Sequence, residues 1–306
     1  VIKKLDDIMS KLKNDAKMKL AVAAAEDKEV LHAVFDAKKE DIIEPILVGD
    51  IEKIKIIANE LGISLDGIEI IGTDSLEESA KTAVKLVADK KADFVMKGLL
   101  DTSILLKSVL DKEYGLRTNS LLSHVMIYEM PAYHKLLILT DGGMNIAPTY
   151  EQKEKILMNS IQAAKSLELD TIKVACLAAK EKVSTKMEST VDADKLAQAG
   201  KQGIFGESVI VEGPLAFDLA VSKESAEVKK FESNVSGDVD ILLVPTIEVG
   251  NGIGKALTYM ANAKSAGIIM GAKAPVVLVS RADSHESKLY SIAYGALVAN
   301  EMYNNN

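Results

Sequence analysis

Tryptophan is absent from this chain of 306 residues, and cysteine occurs once, at Cys176. A single cysteine excludes a disulfide scaffold and a cysteine-based metal site. Cys176 lies in the apolar run Lys173–Ala179 with no titrating neighbour, so it reads as a small core residue rather than a nucleophile. Aromatic residues make up only 4% of the chain, too few for base- or sugar-stacking platforms. No apolar run is long enough for a membrane span, and Val1-Ile-Lys-Lys-Leu-Asp-Asp offers no signal-peptide core. The expectation is a cytoplasmic protein with no membrane partner. A net charge of −8 argues against a general nucleic-acid surface. Phosphate can still be bound by such a chain, through a locally basic pocket. The four histidines, His32, His124, His134 and His285, are not at metal-ligand spacing, and H-E-x-x-H is missing, so no metal site is expected. Nor is there a G-x-S-x-G elbow for a hydrolase triad.

What is there is a strand–helix alternation. Strands are expected at Lys17–Ala25, Ile43–Val48, Ile68–Ile71 and Asp93–Met96. Helices over Asp27–Lys38, Ile51–Leu61, Ser75–Asp89 and Thr102–Leu110 separate or follow them. Leu121–Glu129 and Lys135–Thr140 are joined only by Met130-Pro-Ala-Tyr-His134, which places an antiparallel pair in an otherwise parallel arrangement. The alternation resumes with a helix at Tyr150–Leu167, started by the capping box Thr149-x-x-Gln152. Strands follow at Ile172–Leu177, Ser208–Val211, Val239–Val244, Gly267–Met270 and Val276–Val279. The last helix runs from about Ser284 to Met302, with Asp283-x-x-Glu286 as its cap pair. The strand count exceeds one comfortable sheet. The fold class expected is α/β, in two α/β domains with a cleft between them. Ligands of such folds bind beyond the carboxyl ends of strands.

The residues just after strands therefore carry the argument. Arginine occurs only at Arg117 and Arg281, in a chain that otherwise uses lysine. Ser280-Arg281 ends a buried strand. The pair reads either as a strand terminus with a surface cation or as a hydrogen-bond donor beside a fixed guanidinium for phosphate or an oxyanion. Thr246-Ile-Glu248-Val-Gly250-Asn251-Gly252-Ile-Gly254 reads as a loop before a helix. Its spacing fits neither the Walker nor the dinucleotide pattern. It is either a tight turn with a glycine-rich helix start, or a nest of N–H groups for an anion with Thr246 and Asn251 adding donors. Asp141 and Asn145, in Thr140-Asp-Gly-Gly-Met-Asn145, are expected to project into the strand-end cleft. Lys97-Gly98 has the same placement and would offer a positive charge, or a snorkelling lysine. His285 is a candidate for proton transfer, and His124 alternates on a strand.

Four segments together resemble the phosphate acetyl/butyryltransferase family, nearest its butyryl branch. They are Lys97-Gly-Leu-Leu-Asp-Thr102; Leu139-Thr-Asp-Gly-Gly-Met-Asn145 with Pro148, Thr149 and Gln152; Pro245-Thr-Ile-Glu-Val-Gly-Asn-Gly252; and Val279-Ser-Arg281. The resemblance implies an isocitrate/isopropylmalate dehydrogenase-like fold. One domain is then expected over 1–128 and 276–306, with the C-terminal helix returning to it, and a second, inserted, over 129–275. It implies reversible acyl transfer between coenzyme A and phosphate, butanoyl-CoA plus phosphate giving butanoyl phosphate plus CoA, directly in a ternary complex. No cofactor is permanently bound on that reading; coenzyme A is a substrate, and the protein is a homo-oligomer built on dimers. Arg281 would bind phosphate and stabilise the tetrahedral transition state, and Ser280 would hydrogen-bond the reacting group. The family's aspartate six residues beyond the arginine is Ser287 here, leaving Asp283, His285 or Glu286 as the base. The expected catalytic set is Ser280, Arg281, Asp283 and His285. The expected substrate-binding set is Lys97, Arg117, Asp141, Asn145, Thr246, Glu248, Gly250, Asn251 and Gly252. The alternatives are an acetyl-selective transferase, a metal-dependent dehydrogenase of the same fold, and a non-enzymatic sensor of coenzyme A or acyl phosphate.

Overall fold

The computed structural model describes residues 1–280 and 283–304. The chain divides into two compact units, one of residues 6–120 and 266–306, the other of 1–5 and 121–265. The divisions fall at Ser120/Leu121 and Ser265/Ala266, against 128/129 and 275/276 expected from the sequence. The earlier first division keeps the strand that begins at Ser123 with the partner it pairs to.

In the first unit, helix α1 (Leu5–Leu12) leads into strand β1 (Met18–Ala23). Then come α2 (Lys28–Lys39), β2 (Ile43–Gly49), α3 (Ile51–Glu60), β3 (Glu69–Gly72), α4 (Leu76–Ala88), β4 (Phe94–Lys97) and α5 (Thr102–Val109). β1 reads Met-Lys-Leu-Ala-Val-Ala and is buried at every position but Lys19, the near-continuous apolar run of a parallel strand covered on both faces. It pairs in parallel with β2 (Leu20↔Pro45) and with β4 (Leu20↔Phe94), while β2 carries β3 on its other side. The helices start where side chains satisfy their first N–H groups. Asp27 accepts from the Val30 N–H at 2.9 Å, and Ser75 accepts from Glu78.

The second unit opens on an antiparallel pair, β5 (Ser123–Glu129) and β6 (Leu137–Thr140), in register Met126↔Leu139, as the short link between them requires. After α6 (Tyr150–Lys165), which starts on the expected Thr149/Gln152 capping box, come β7 (Ile172–Leu177) and α7 (Glu188–Lys201). β8 (Val209–Leu215), α8 (Phe217–Val221), α9 (Lys223–Val228), β9 (Ile241–Leu243) and α10 (Ile247–Met260) complete it. Within the unit the strands run β5-β6-β9-β7-β8. β6, β9, β7 and β8 are mutually parallel. Tyr128, Leu137, Leu139, Leu215, Leu242 and Val244 form its core. No element was expected between Leu177 and Ser208. α7 carries no strong apolar stripe, since Leu196 is the one large apolar side chain among its buried residues and Thr190 and Asp192 are polar, and Met187 at its start makes no side-chain cap.

The chain then completes the first unit. β10 (Lys264–Met270) turns at 271–274 into the two-residue β11 (Val276–Val277), antiparallel at Ile269↔Val276. β11 lies parallel to β4 through Val276↔Val95 and Val277↔Met96. α11 (His285–Asn304) packs over β1, β4 and β11 and against α2, burying Tyr294 completely. Its ring adds apolar burial, but its hydroxyl is buried with no hydrogen-bond partner among the described residues, which offsets part of that gain. Among the described residues no helix is long and apolar enough to cross a membrane.

Candidate active site

β4 and β11 are adjacent parallel strands of the first unit. Lys97-Gly98 and Leu278–Ser280 therefore leave from neighbouring carboxyl ends, where α/β sheets present ligands. The Lys97 ammonium folds over its own turn, donating to the carbonyls of Gly98 at 3.2 Å and Leu100 at 3.0 Å. Ser280 is exposed. Its N–H donates to Asp283 Oδ2 at 2.6 Å, and the Asp283 N–H donates back to the Ser280 carbonyl at 3.1 Å. Lys288, buried to 3% exposure, braces that turn by donating from Nζ to the Asp283 carbonyl at 2.9 Å. Arg281 and Ala282 lie outside the described residues.

Two expectations for this segment change. Asp283 does not cap α11; Ser284 does, its Oγ accepting from the Ser287 N–H at 3.1 Å and its carbonyl from the Lys288 N–H. The Asp283 carboxylate is committed to the Ser280 N–H instead. His285 points to α2: its Nε2 lies 2.7 Å from Asp36 Oδ2 and its ring stacks on His32. Arg117 is exposed, between Leu116, whose carbonyl accepts from the Lys273 N–H, and Thr118, whose hydroxyl donates to the Gly271 carbonyl. It is thus carried beside the turn that joins β10 to β11.

In the second unit, the loop after β6 is held from within. The buried Asp141 carboxylate accepts from the N–H groups of Gly143 (2.8 Å) and Met144 (2.9 Å) and from Asn145 Nδ2 (2.6 Å). Asn145 Nδ2 also donates to the Leu122 carbonyl. These two side chains were expected to project toward ligand. The Asp141 carboxylate and the Asn145 side-chain nitrogen instead fix the shape of the loop, because a buried carboxylate needs several donors.

The glycine-rich stretch after β9 is a helix, not the loop expected. α10 begins at Ile247, whose N–H donates to the Ile146 carbonyl, and the Gly250 N–H already bonds back to Thr246. The glycines thus lie in helical turns, and what this stretch offers an anion is the first-turn N–H groups of α10 at Glu248 and Val249. The glycines answer a packing demand. A Cβ on Gly250 would stand 2.7 Å from the Gly142 Cα, and one on Gly142 would stand 2.8 Å from the Gly250 carbonyl carbon. Thr246 precedes the helix without a side-chain cap. Asn251 Nδ2 reaches the Gly142 carbonyl at 3.4 Å. Glu248, Asn251 and Gly252 are exposed, and Gly250 is buried. On the same side of the unit, a Cβ on Gly143 would fall 2.6 Å from His124 Nδ1, so the loop and the β5 histidine are fitted to each other.

The structure thus joins Ser280 to Asp283, Asp141 to Asn145, and Asn251 to the Asp-Gly-Gly loop. It pairs His285 with Asp36, a partnership the sequence reading did not include. Lys288 also went unnoticed: a lysine in a helix's first turn reads as a surface cation, and nothing in the local sequence marks it as buried. Cys176 is the core residue expected, its thiol pushed up to about 12 by burial, which outweighs the nearby Lys153 charge.

Comparison with known proteins places this arrangement. The chain is 44% identical over 299 residues to a phosphate butyryltransferase of Clostridium acetobutylicum, covering 98% of this chain and 99% of that one. It is 43% identical over 281 residues to a phosphate acetyltransferase of Thermotoga maritima, covering 92% and 95%. A branched-chain phosphotransacylase from Enterococcus faecalis V583 superposes with a TM-score of 0.82 at 36% identity, over 92% of this chain and 99% of that one. With residues 4–83 and 73–296 matching its description, the chain belongs to the phosphate acetyl/butaryl transferase family.

Proposed function

We propose that this protein is a phosphate butyryltransferase, moving a short acyl group reversibly between coenzyme A and inorganic phosphate. The observation that carries the reading is Ser280, exposed at the carboxyl end of β11 beside the Lys97 turn and fixed there by Asp283. Full-length similarity to acyl–phosphate transferases supports it. In the direction of acyl-CoA synthesis, the coenzyme A sulfur attacks the acyl phosphate carbonyl, the carbon–oxygen bond to phosphate breaks, and phosphate leaves with the electron pair. The thiol's proton goes to solvent or to a base. A thiol of pKa about 8.5 is already a few per cent thiolate near neutrality, so only modest help is required. The acyl phosphate is an activated donor, and no covalent enzyme intermediate is needed. Positioning and oxyanion stabilisation, each worth several kcal/mol, then carry the reaction. Ser280 serves the reacting group and Arg281 the phosphate and the developing oxyanion. Asp283, occupied with the Ser280 N–H, acts as a positioning residue rather than the base.

The scaffold we infer is that of the isocitrate/isopropylmalate dehydrogenases. Support comes from the return of residues 266–306 to the first unit, with α11 packed on α2. A dimer-based assembly is supported by Tyr259 and Met260 at the end of α10, 72% and 85% exposed.

The test is phosphate-dependent release of coenzyme A from acetyl-, butanoyl- and longer acyl-CoA. The highest kcat/KM is expected with butanoyl-CoA. A preference for acetyl-CoA would make the protein an acetyltransferase, and binding without turnover would make it a sensor.

A further inference from the structure

Away from the strand-end residues, α2 and the start of α11 bring His32, Asp36 and His285 together, with one ligand atom of each within 4.8 Å of the others. His32 and Asp36 are four residues apart on α2 and so leave the helix from one face. His285 is the first residue of α11. Asp36 Oδ2 lies 2.7 Å from His285 Nε2 and 3.7 Å from His32 Nε2, and the two rings stack with centroids 4.2 Å apart. Ligand atoms around a tetrahedral zinc, bonded at about 2.0–2.1 Å, stand about 3.3 Å from one another. The two observed separations fall either side of that value. A small swing of the half-exposed His32 side chain would close the longer separation, and a small shift of the Asp36 carboxylate away from His285 would open the shorter one.

We infer that His32, Asp36 and His285 form a site for a divalent transition metal of the zinc class. Two imidazoles and a carboxylate supply three ligands, and the fourth position opens to solvent. Imidazole donors favour zinc, copper or nickel over magnesium or calcium. Binding places the metal on Nε2 of His285. With the metal on Nε2, the neutral ring carries its proton on Nδ1, which is buried with no hydrogen-bond partner among the described residues. The site is therefore weaker than one whose outer ring nitrogen has an acceptor. Its occupation ties α2 to the residue two positions beyond Asp283. The inference is independent of the acyl-transfer reading, because its readout is metal binding alone.

The test is titration of the chelator-treated full chain with Zn²⁺ by calorimetry and with Co²⁺ by visible absorption. Expected are one saturable equivalent per chain and Co²⁺ bands of a low-coordinate nitrogen–oxygen site. His32→Ala and Asp36→Asn should each weaken binding at least ~10-fold, by analogy with outer partners whose loss already costs that much. Both variants should melt like the parent protein without metal. Absence of saturable binding, or binding that both substitutions leave unchanged, overturns the assignment.

Discussion

Ser280 and Asp283 are bonded to each other twice, the Ser280 N–H to Asp283 Oδ2 at 2.6 Å and the Asp283 N–H to the Ser280 carbonyl at 3.1 Å. The carboxylate therefore holds the backbone of the residue assigned to the reacting group. Its loss should loosen that residue without removing any group that touches substrate. Asp283→Ala is expected to lower kcat about 10- to 100-fold, the worth of a hydrogen bond to a charged group, with little change in KM. Asp283→Asn keeps an acceptor and should restore most of the rate. Equal damage from both substitutions would mark Asp283 as the proton acceptor instead.

Arg281 is assigned the oxyanion and the phosphate. Arg281→Lys keeps the charge and loses the planar fork, and should reduce kcat by about 100-fold or more. Turnover near that of the parent enzyme would remove the arginine from the mechanism.

The close approach of Gly142 and Gly250 is backbone against backbone, where neither side can swing aside. Gly142→Ala and Gly250→Ala should each destabilise the protein by about 1–3 kcal/mol. Once one methyl has forced the segments apart, the second meets less resistance. The double variant should therefore lose less than the sum of the two, a coupling that denaturant titration of all four proteins would measure.

Lys153 and Asp192 form a buried ion pair at 2.7 Å, with side chains 8% and 7% exposed. Lys153→Met would strand a carboxylate in the interior and should cost about 3–5 kcal/mol. Adding Asp192→Leu removes the orphaned charge and should recover much of that loss, read as a higher denaturation midpoint in the double variant than in the single.

Cys176 is completely buried, and burial pushes its thiol up to about 12. A disulfide reagent at pH 8 should titrate no thiol in the native protein and one after denaturation, and acyl transfer should be unaffected. Rapid native labelling with loss of activity would contradict a purely structural thiol.

Much of the architecture could be read from residues alone. The near-continuous apolar runs of β1 and β4 announce buried parallel strands, and the five-residue link Met130–His134 forces the β5–β6 reversal. The strand-end rule also drew attention to Lys97, Asp141 and Ser280. Where the reading failed, a tertiary demand outweighed a local one. Gly250-Asn-Gly-Ile-Gly254 has the composition of a loop, yet it is helical, and its glycine at 250 is there because Gly142 leaves no room for a side chain. Asp283 has the spacing of a cap and Ser284 does the capping, since the carboxylate has a nearer donor in Ser280. The His285–Asp36 pair joins residues far apart in sequence, and only the packing of α11 on α2 reveals it.

The return of residues 266–306 to the first unit has a consequence for biosynthesis. When the ribosome has released only residues 1–120, β4 has one parallel neighbour, β1, and lacks the other, because β11 has not yet been made. The segment bearing Ser280 is thus also the one that closes the sheet. A nascent chain arrested before residue 276 lacks Ser280 and keeps an open strand flank, so the residue assigned to the substrate and the cover for that flank emerge from the ribosome together.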